Sequence, residues 1–311
     1  MNRTLFGPVN SRRLGRSLGI DLLPFKTCSL DCVYCECGWT TDKTMRRAEF
    51  VPTALVLAEL DLALPADPTI DYVTFSGAGE PTLHSGIGRV IAHLKADHPR
   101  TKVAVLTNGT LLGDPKVQAE LAPADLVIPS LDAATDAAFE AICRPAAGVT
   151  VQAVIDGIAL FRRSFRGLLL LEIFIVPGIN DTPAELAALK RAAMLIAPDA
   201  IQLNSLDRPA PDSTVAPVDA DQMRGIGEFF RPLVVQAVRR RGGNEPPPWS
   251  DPAVFREIAA VLADGPTTRG RLSLITGIRE GDLAKTLAQM AAQGLVGRDQ
   301  AEGFLGPRGD R

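Results

Sequence analysis

Three cysteines in one short stretch are the residues of this chain best suited to chemistry. Cys28, Cys32 and Cys35 follow the spacing C-x3-C-x2-C, and Cys37 lies two residues further on. Thiolate sulfur is a soft ligand that suits iron–sulfur clusters and zinc. Three thiolates in one loop can hold three irons of a four-iron cluster and leave the fourth iron open to a non-protein ligand. The spacing therefore predicts a metal centre with one open position.

Two other interpretations of the cysteines stay open. A structural zinc ion usually takes four protein ligands. The fourth would have to be Cys37 or one of three histidines, His84, His93 and His98, none of which lies in a metal-type sequence pair. Buried unreactive thiols are less favoured, because polar residues flank the loop. Cys143 falls at an apparent helix end and is interpreted as structural. An odd number of cysteines, five, of which four lie within ten residues, argues against a disulfide framework.

A glycine-rich turn is the second candidate for chemistry. Gly77, Gly79 and Glu80 directly follow an apolar, strand-like run that ends at Phe75. Glycines let the backbone approach a ligand closely, and a neighbouring carboxylate can accept strong hydrogen bonds from an ammonium group. In isolation, such a stretch is more typical of a plain turn between a strand and a helix.

Together, the cysteine spacing and this turn resemble the signature of the radical S-adenosylmethionine (SAM) superfamily. Tyr34 occupies the aromatic position before the third cysteine, and Gly79 with Glu80 matches the family's Gly-Gly-Glu-Pro motif, with Ala78 replacing the first glycine. The resemblance implies that the three cysteines ligate a [4Fe–4S] cluster whose open iron binds the amino and carboxylate groups of SAM. It also implies that Tyr34 packs near the adenine.

Polar residues at later strand ends extend the resemblance. Asn108 lies in a Thr-Asn-Gly segment, Ser130 and Asp132 lie in a Ser-Leu-Asp segment, and Asn204 ends the sixth predicted strand. Each alone is typical of a turn. In this order the resemblance implies that Gly79, Glu80 and Ser130 hold the methionine end of SAM. It implies weaker roles for Asp132, Asn108 and Asn204 toward ribose, adenine or substrate.

The resemblance covers roughly residues 5–210. The segments 6–21, 26–28 and 202–209 are distantly similar to the wybutosine-synthesis radical SAM enzymes, which act on a tRNA base. The resemblance implies an enzyme whose reduced cluster cleaves SAM, so that a 5′-deoxyadenosyl radical abstracts hydrogen from an unidentified substrate. An RNA base, a partner protein and a small molecule are all open as substrates. The implied electron donor is a reductase or a flavodoxin- or ferredoxin-type protein.

The elements that must position these residues form a regular pattern. Six apolar, strand-like runs alternate with helical patterns, which predicts an α/β fold with parallel pairing and right-handed crossovers. We predict a partial (β/α)6 barrel of radical SAM type, with a doubly wound sheet as the alternative. The predicted strands are 18–23, 70–75, 102–106, 125–129, 168–176 and 200–204, and the predicted helices are 52–62, 86–97, 114–121, 149–165, 183–196 and 220–239. Thr53, Thr182 and Asp219 are predicted N-caps.

The amino-acid composition changes before the C-terminal part. A run of charged residues is followed by glycines and then by prolines, and this order predicts a linker. The chain is thereby divided into a core domain (1–240), a linker (241–252) and a small winged-helix-like domain (253–311) with helices 252–262, 268–276 and 280–293. Eight Lys and Arg against seven Asp and Glu in the last segment are a poor electrostatic match for nucleic acid. A non-catalytic iron–sulfur sensor with this tail is the alternative function, but a sensor has no need of Glu80 and its glycines.

Charge and hydropathy set the remaining limits. The 311 residues carry a net charge of −3, so the net charge gives no indication of binding to nucleic acid or membranes. We expect a cytoplasmic protein without membrane contact, since a signal sequence and a long apolar run are both absent from the sequence. Arg12, Arg13 and Arg16 fit a site for a phosphorylated or carboxylated substrate and a solvated turn equally well. Residues 239–241 are interpreted as a basic helix end.

Overall fold

The computed structural model describes residues 4–11, 14–237, 247–263, 265, 267–278, 280–298 and 303–305. Arg12, Arg13, the basic run 239–241 and the first half of the predicted linker (241–246) lie outside the described residues. Within them, one large sheet is accompanied by two small ones and by helices that follow most strands.

Six parallel strands form the centre of the large sheet. The strands up to residue 237 are β1 (Leu5–Ser11), β2 (Gly15–Ile20), β3 (Thr27–Cys28), β4 (Asp42–Lys43), β5 (Tyr72–Phe75), β6 (Lys102–Thr107), β7 (Leu126–Pro129), β8 (Leu168–Phe174), β9 (Ala200–Asn204) and β10 (Val235–Ala237). The sheet order is β1-β2-β5-β6-β7-β8-β9-β10, with β1 antiparallel to β2 and all other pairs parallel. The six predicted strands are therefore confirmed as β2 and β5 to β9.

Helices follow the strands as a parallel sheet requires. They are α1 (Thr53–Ala66), α2 (Ile87–Asp97), α3 (Pro115–Leu121), α4 (Asp136–Cys143), α5 (Val151–Ser164), α6 (Pro183–Ile196) and α7 (Ala220–Phe229). Residues on alternate positions of a strand point to opposite faces. Val73, Val105 and Ile201 belong to a buried cluster shared with these helices, whereas Tyr72 and Ala104 belong to a second cluster on the other face. Both faces are covered, which explains the nearly continuous apolar strands.

The predicted helix 220–239 is wrong in its second half. Helix α7 ends at Phe229, and the chain then enters strand β10, which pairs with β9. Pro232 lies between the two elements, and proline in a helix interior removes a hydrogen bond and clashes with the preceding turn. The proline was the signal that should have shortened the prediction.

Other local differences concern strand β1, helix α4 and one helix cap. Strand β1 was not predicted, because its glycine, proline and arginine content hid a strand. Helix α4 was predicted only through the apparent helix end at Cys143, where it does end, and its start was not predicted. Thr182 and Asp219 cap their helices as predicted, each accepting a hydrogen bond from a backbone N–H of the first turn. Thr53 is instead the first helical residue of α1, after an N-cap at Pro52.

The C-terminal part consists of three helices and a three-stranded antiparallel sheet. The helices are α8 (Pro252–Ala263), α9 (Arg269–Thr276) and α10 (Glu280–Ala292), and the strands are β11 (Thr267–Thr268), β12 (Gly297–Arg298) and β13 (Gly303–Leu305). Ile258, Leu272 and Leu287 of these helices share one buried cluster with Tyr72 and Ala104 of the large sheet. The C-terminal helices therefore cover part of the sheet face that α1 to α7 leave free. The winged-helix resemblance and the domain boundaries stay predictions.

Among the described helices, none combines the length and apolar character needed to span a membrane.

Candidate metal and cofactor site

The cysteine loop begins at the end of β3 and is hydrogen-bonded to helix α4. Cys28 is the last residue of β3, and Cys32 and Cys35 follow in a turn in which the Cys35 N–H donates to the Cys32 carbonyl at 3.2 Å. The Val33 N–H donates to the carbonyl of Ile142 in α4 at 2.9 Å. All three cysteines are half-buried and unpaired. The loop thus presents three thiols from one anchored segment.

Two nitrogen donors lie against these sulfurs. The Lys26 ammonium, only 3% exposed, is 2.9 Å from the Cys35 Sγ, and the Asn108 amide is 3.5 Å from the Cys28 Sγ. Burial opposes the charge of Lys26, but contact with Cys35 outweighs it and raises the pKa of the ammonium. Lys26 therefore stays charged beside the loop.

The thiols differ in how readily they lose a proton. A hydrogen bond from Cys37, helped by Lys26 and opposed by burial, lowers the pKa of Cys35 to about 5. Burial, with the nearby Glu80 charge, raises the pKa of Cys28 to about 12. The Cys28 proton is therefore displaced only when a metal cation takes its place.

The glycine-rich turn packs directly on the cysteine loop. A Cβ atom on Gly79 would lie 2.2 Å from the Thr27 carbonyl oxygen, so only glycine fits there. The Glu80 N–H donates to that same oxygen at 3.1 Å. Gly77 has φ +122°, a conformation that side chains rarely adopt, and it lies against the carboxylate of Asp21. These contacts fix the turn next to Cys28.

The Glu80 carboxylate is 2% exposed and joins two strand ends. Its Oε1 accepts hydrogen bonds from the Thr82 N–H (3.0 Å), the Thr82 hydroxyl (2.6 Å) and the Thr107 hydroxyl (2.7 Å). Its Oε2 accepts from the Asn108 N–H at 2.7 Å. Burial raises the pKa of Glu80, against these hydrogen bonds. Glu80 therefore braces the turn against the end of β6, and Oε2 retains capacity for one further donor.

Tyr34, Phe174 and Asp132 form a second linked group. The Tyr34 and Phe174 rings stack with centroids 3.9 Å apart and planes 7° from parallel. The Tyr34 hydroxyl donates to Asp132 Oδ2, and the Phe174 N–H donates to Asp132 Oδ1 at 2.7 Å. Asn180, fully buried, donates to the Asp132 carbonyl at 2.7 Å. The ends of β7 and β8 are thereby tied to the cysteine loop.

One cavity brings several predicted residues together. Those lining it include Tyr34, Asn108, Ser130 and Asp132, beside Cys32 and Cys143. Gly79 and Glu80 adjoin this set through the Asn108 N–H. Asn204 lies at the end of β9, where its carbonyl accepts from the Ile175 N–H at 2.8 Å, and it is not among the residues lining this cavity.

Several residues of the site were not singled out from the sequence. Cys143 lines the cavity and hydrogen-bonds with Cys32, although its position at a helix end suggested a structural thiol. Ser29 accepts the Asn108 amide at 2.8 Å and is fully buried. Arg16 forms an ion pair with Asp67 at 2.6 Å, which supports a structural role for this member of the basic turn.

We expect Asp132→Asn to change how stability depends on pH. Burial raises the pKa of Asp132 to about 7, from an ordinary value of 3.8. Between these values the folded protein holds a proton that the unfolded chain has lost, so the free energy of unfolding falls as pH rises, by up to about 1.4 kcal/mol per pH unit. Urea unfolding of metal-free, reduced wild type and Asp132→Asn from pH 5 to 8 measures this. A difference between the two proteins that stays constant over that range contradicts the prediction.

Comparison with known proteins identifies the family to which this chain belongs. The profile described as Radical SAM superfamily matches residues 22–189, which contain the cysteine loop and the glycine-rich turn. A UPF0026 protein of Synechocystis sp. is 38% identical over 215 residues, which cover 68% of this chain and 79% of the relative. A protein of Brachyspira hyodysenteriae named GTPase Obg is 36% identical over 230 residues.

The second relative is much longer than the shared region. The alignment covers 73% of this chain but 33% of the Brachyspira protein, so the chain spans about a third of that relative's length. A phosphate-binding loop of the Gly-x4-Gly-Lys type requires a Gly-Lys pair, which this sequence lacks. The name GTPase Obg therefore belongs to the longer protein.

A solved structure supports the architecture. A radical SAM methyltransferase from Sphaerobacter thermophilus aligns with a TM-score of 0.56 at 17% identity, covering 73% of this chain and 67% of that chain. At this identity the likeness concerns the fold. It confirms the predicted α/β partial barrel with its parallel sheet, whereas the finer similarity to the wybutosine-synthesis enzymes stays a prediction.

Proposed function

We propose that this chain, which belongs to the radical SAM superfamily and is an enzyme of that type, binds a [4Fe–4S] cluster and SAM at the cysteine loop. The observation that carries the proposal is the cavity beside Cys32, which is lined by Tyr34, Asn108, Ser130 and Asp132. The loop that carries the three thiols therefore borders a cavity in which these polar groups lie among apolar side chains, and a cluster with an open ligand position needs such a neighbouring space.

The donor set fits the cluster. Cys28, Cys32 and Cys35 supply three soft sulfur ligands from one loop, and two of these sulfurs have a nitrogen donor beside them. Hydrogen bonds to cluster sulfurs are a principal way in which proteins adjust the reduction potential. When bound, the reduced cluster and SAM would supply a 5′-deoxyadenosyl radical for hydrogen abstraction from the substrate.

In this proposal, the residues of the chain bind and orient SAM and exclude water from the cavity. The Tyr34 ring, held by Phe174 and Asp132, offers a flat apolar surface at the cavity. The free capacity of Glu80 Oε2 suits the amino group of SAM, and Ser130 offers a hydroxyl to the other polar atoms of its methionine end. Because the Asp132 pKa lies near neutrality, its carboxyl group can hold a proton toward Tyr34 or the cavity.

The substrate and the electron source form a separate part of the proposal. An RNA base, a partner protein and a small molecule remain the three substrate classes, and a reductase or a flavodoxin- or ferredoxin-type protein would supply the electron. Family membership does not choose between them, because one fold supports many reactions.

Anaerobic assay of SAM cleavage tests the proposed function. The protein is reconstituted with iron and sulfide, incubated with SAM with and without a chemical reductant, and analysed for 5′-deoxyadenosine. Product that depends on reductant supports the proposal, even without substrate. A protein that binds zinc at the loop and no iron, or a cluster that leaves SAM intact, overturns it.

Lys26→Met is expected to lower the midpoint potential of the reconstituted cluster by about 60 mV, which corresponds to about tenfold in a one-electron equilibrium. The positive Lys26 ammonium, 2.9 Å from the Cys35 Sγ, stabilises the reduced cluster, which carries more negative charge than the oxidised one. Removing the ammonium removes this stabilisation. An anaerobic redox titration followed by electron paramagnetic resonance measures it. Lys43→Met is the matched control, because the exposed Lys43 donates to the Arg144 carbonyl at 3.1 Å and not to a cysteine. Equal midpoint potentials in Lys26→Met and Lys43→Met would show that Lys26 does not influence the cluster.

A further inference from the structure

Two of the three histidines meet a carboxylate on the outer helices, away from the elements that carry the cysteine loop. His93 lies in α2, His98 is the residue that ends it, and Asp61 lies in α1. The Asp61 Oδ1 is 2.7 Å from the His93 Nε2 and 3.1 Å from the His98 Nε2. Three ligand atoms of the types that zinc prefers therefore lie within 4.8 Å of one another.

The second nitrogen of His93 is also engaged. Its Nδ1 is 2.8 Å from the Asp97 Oδ2. Ionised carboxylate oxygens only accept hydrogen bonds, so with both carboxylates ionised two arrangements of His93 account for the two contacts. Either the ring is a doubly protonated imidazolium, or a neutral ring donates from Nδ1 to Asp97 and gives its Nε2 lone pair to a cation. The second arrangement is the carboxylate–histidine–metal chain that orients metal-binding imidazoles.

Exposure of the cluster suits a site with an open side. The side chains of His93 and His98 are 19% and 15% exposed, whereas that of Asp61 is 50% exposed. The two rings are thus held by packing, and their edge-to-face contact at 5.8 Å between centroids fixes their relative orientation. The Asp61 Oδ1 lies close to the Nε2 atoms of both rings, so one carboxylate oxygen faces both imidazoles.

We propose that Asp61, His93 and His98 bind a divalent transition-metal ion, with Zn²⁺ as the best match, and that water completes its coordination. Two imidazoles with one carboxylate are a ligand set that zinc takes, and the two imidazoles favour zinc over magnesium or calcium. Asp97 orients the His93 ring through its contact with Nδ1, the nitrogen that does not bind the ion. The ion would join α1 to the C-terminal end of α2. The five-residue spacing of the histidines is unlike the usual i, i+4 helical pair, and it works here because the chain leaves the helix at His98.

The proposal is independent of the cysteine loop, and the test separates the two sites. The full-length Cys28→Ala/Cys32→Ala/Cys35→Ala variant is titrated with Zn²⁺ by calorimetry, and with Co²⁺ by absorption spectroscopy. We expect one equivalent to bind, and the Co²⁺ spectrum to lack thiolate charge-transfer bands. Adding Asp61→Asn, which keeps the shape of the side chain, or His93→Gln is expected to weaken Zn²⁺ binding at least about tenfold. Adding Asp97→Asn is expected to weaken it by about tenfold, as loss of an outer partner does.

Glu140→Gln in the same background is the matched control, because it removes an exposed carboxylate from a helix elsewhere on the surface. Circular dichroism checks that each variant is folded. Unchanged Zn²⁺ affinity in folded Asp61→Asn and His93→Gln, or no binding in the parent variant, overturns the proposal. Loss of binding in these variants with retention in Glu140→Gln supports it.

Discussion

Replacing Cys32 by alanine is expected to reduce the iron and sulfide retained after anaerobic reconstitution by well over tenfold and to abolish reductant-dependent formation of 5′-deoxyadenosine. Loss of an outer partner of a metal ligand alone costs about 10–100-fold in affinity, so loss of a ligand costs more. Cys32 also lines the cavity proposed for SAM. Iron and sulfide analysis, the visible spectrum of the cluster and product analysis are the measurements.

The matched control is Cys37→Ala. Cys37 is half-buried like Cys32 and belongs to the same loop, but the three-cysteine spacing leaves it without a ligand role. We expect Cys37→Ala to keep the cluster, whereas a four-thiolate site would lose its metal in both variants. Cys143 hydrogen-bonds with Cys32 and is a potential substitute ligand, so Cys32→Ala/Cys143→Ala should be measured as well. Retention of a full cluster in that double variant would exclude Cys32 as a ligand.

Gly79→Ala should both destabilise the protein and impair cluster loading. The new Cβ would lie 2.2 Å from the Thr27 carbonyl oxygen and 2.8 Å from the Leu23 side chain. The closest atom belongs to the backbone, so the turn or the cysteine loop must move. Overpacking of this kind typically costs roughly 1–3 kcal/mol. Because Thr27 directly precedes Cys28, the displacement reaches the first ligand.

Gly225→Ala provides the comparison for that experiment. Gly225 lies within α7, and a Cβ there meets nothing within 4 Å. Alanine is favoured over glycine by up to about 1 kcal/mol in a helix interior, so this variant should be at least as stable as the wild type. Thermal unfolding and iron content are measured for both. Gly79→Ala with normal stability and normal iron content would show that the turn does not hold the loop in place.

Much of the fold could be predicted from the pattern of the sequence. The six parallel strands are apolar runs separated by helices of ordinary length, and such patterns are strongly constrained by burial on both faces. Strand β1 could not be predicted in this way, because its pairing with β2 is a tertiary contact and its own sequence contains glycine and proline. The misjudged helix after Ala220 was avoidable, since Pro232 marked its limit.

The site was predictable where spacing alone carries the information. Spacing singled out Cys28, Cys32 and Cys35 as candidate ligands, and in the structure Tyr34, Asn108, Ser130 and Asp132 line one cavity. Sequence reasoning had no means of finding the partners that act through space.

Lys26 reaches Cys35 because of a backbone conformation with φ +58°, and His93 meets Asp61 across two helices. Both contacts depend on how elements pack, which one sequence does not display.

The cluster that joins the C-terminal helices to the large sheet has a consequence for biosynthesis. Ile258, Leu272 and Leu287 cover Tyr72 and Ala104, yet they are translated long after the strands they protect. While the chain is still on the ribosome, that face of the nascent sheet lacks its apolar cover. Domains fold as their parts emerge, and exposed apolar surface favours aggregation meanwhile. Emergence of α8 to α10 is therefore the step that covers this face, and nascent chains arrested before residue 250 should depend most on chaperones.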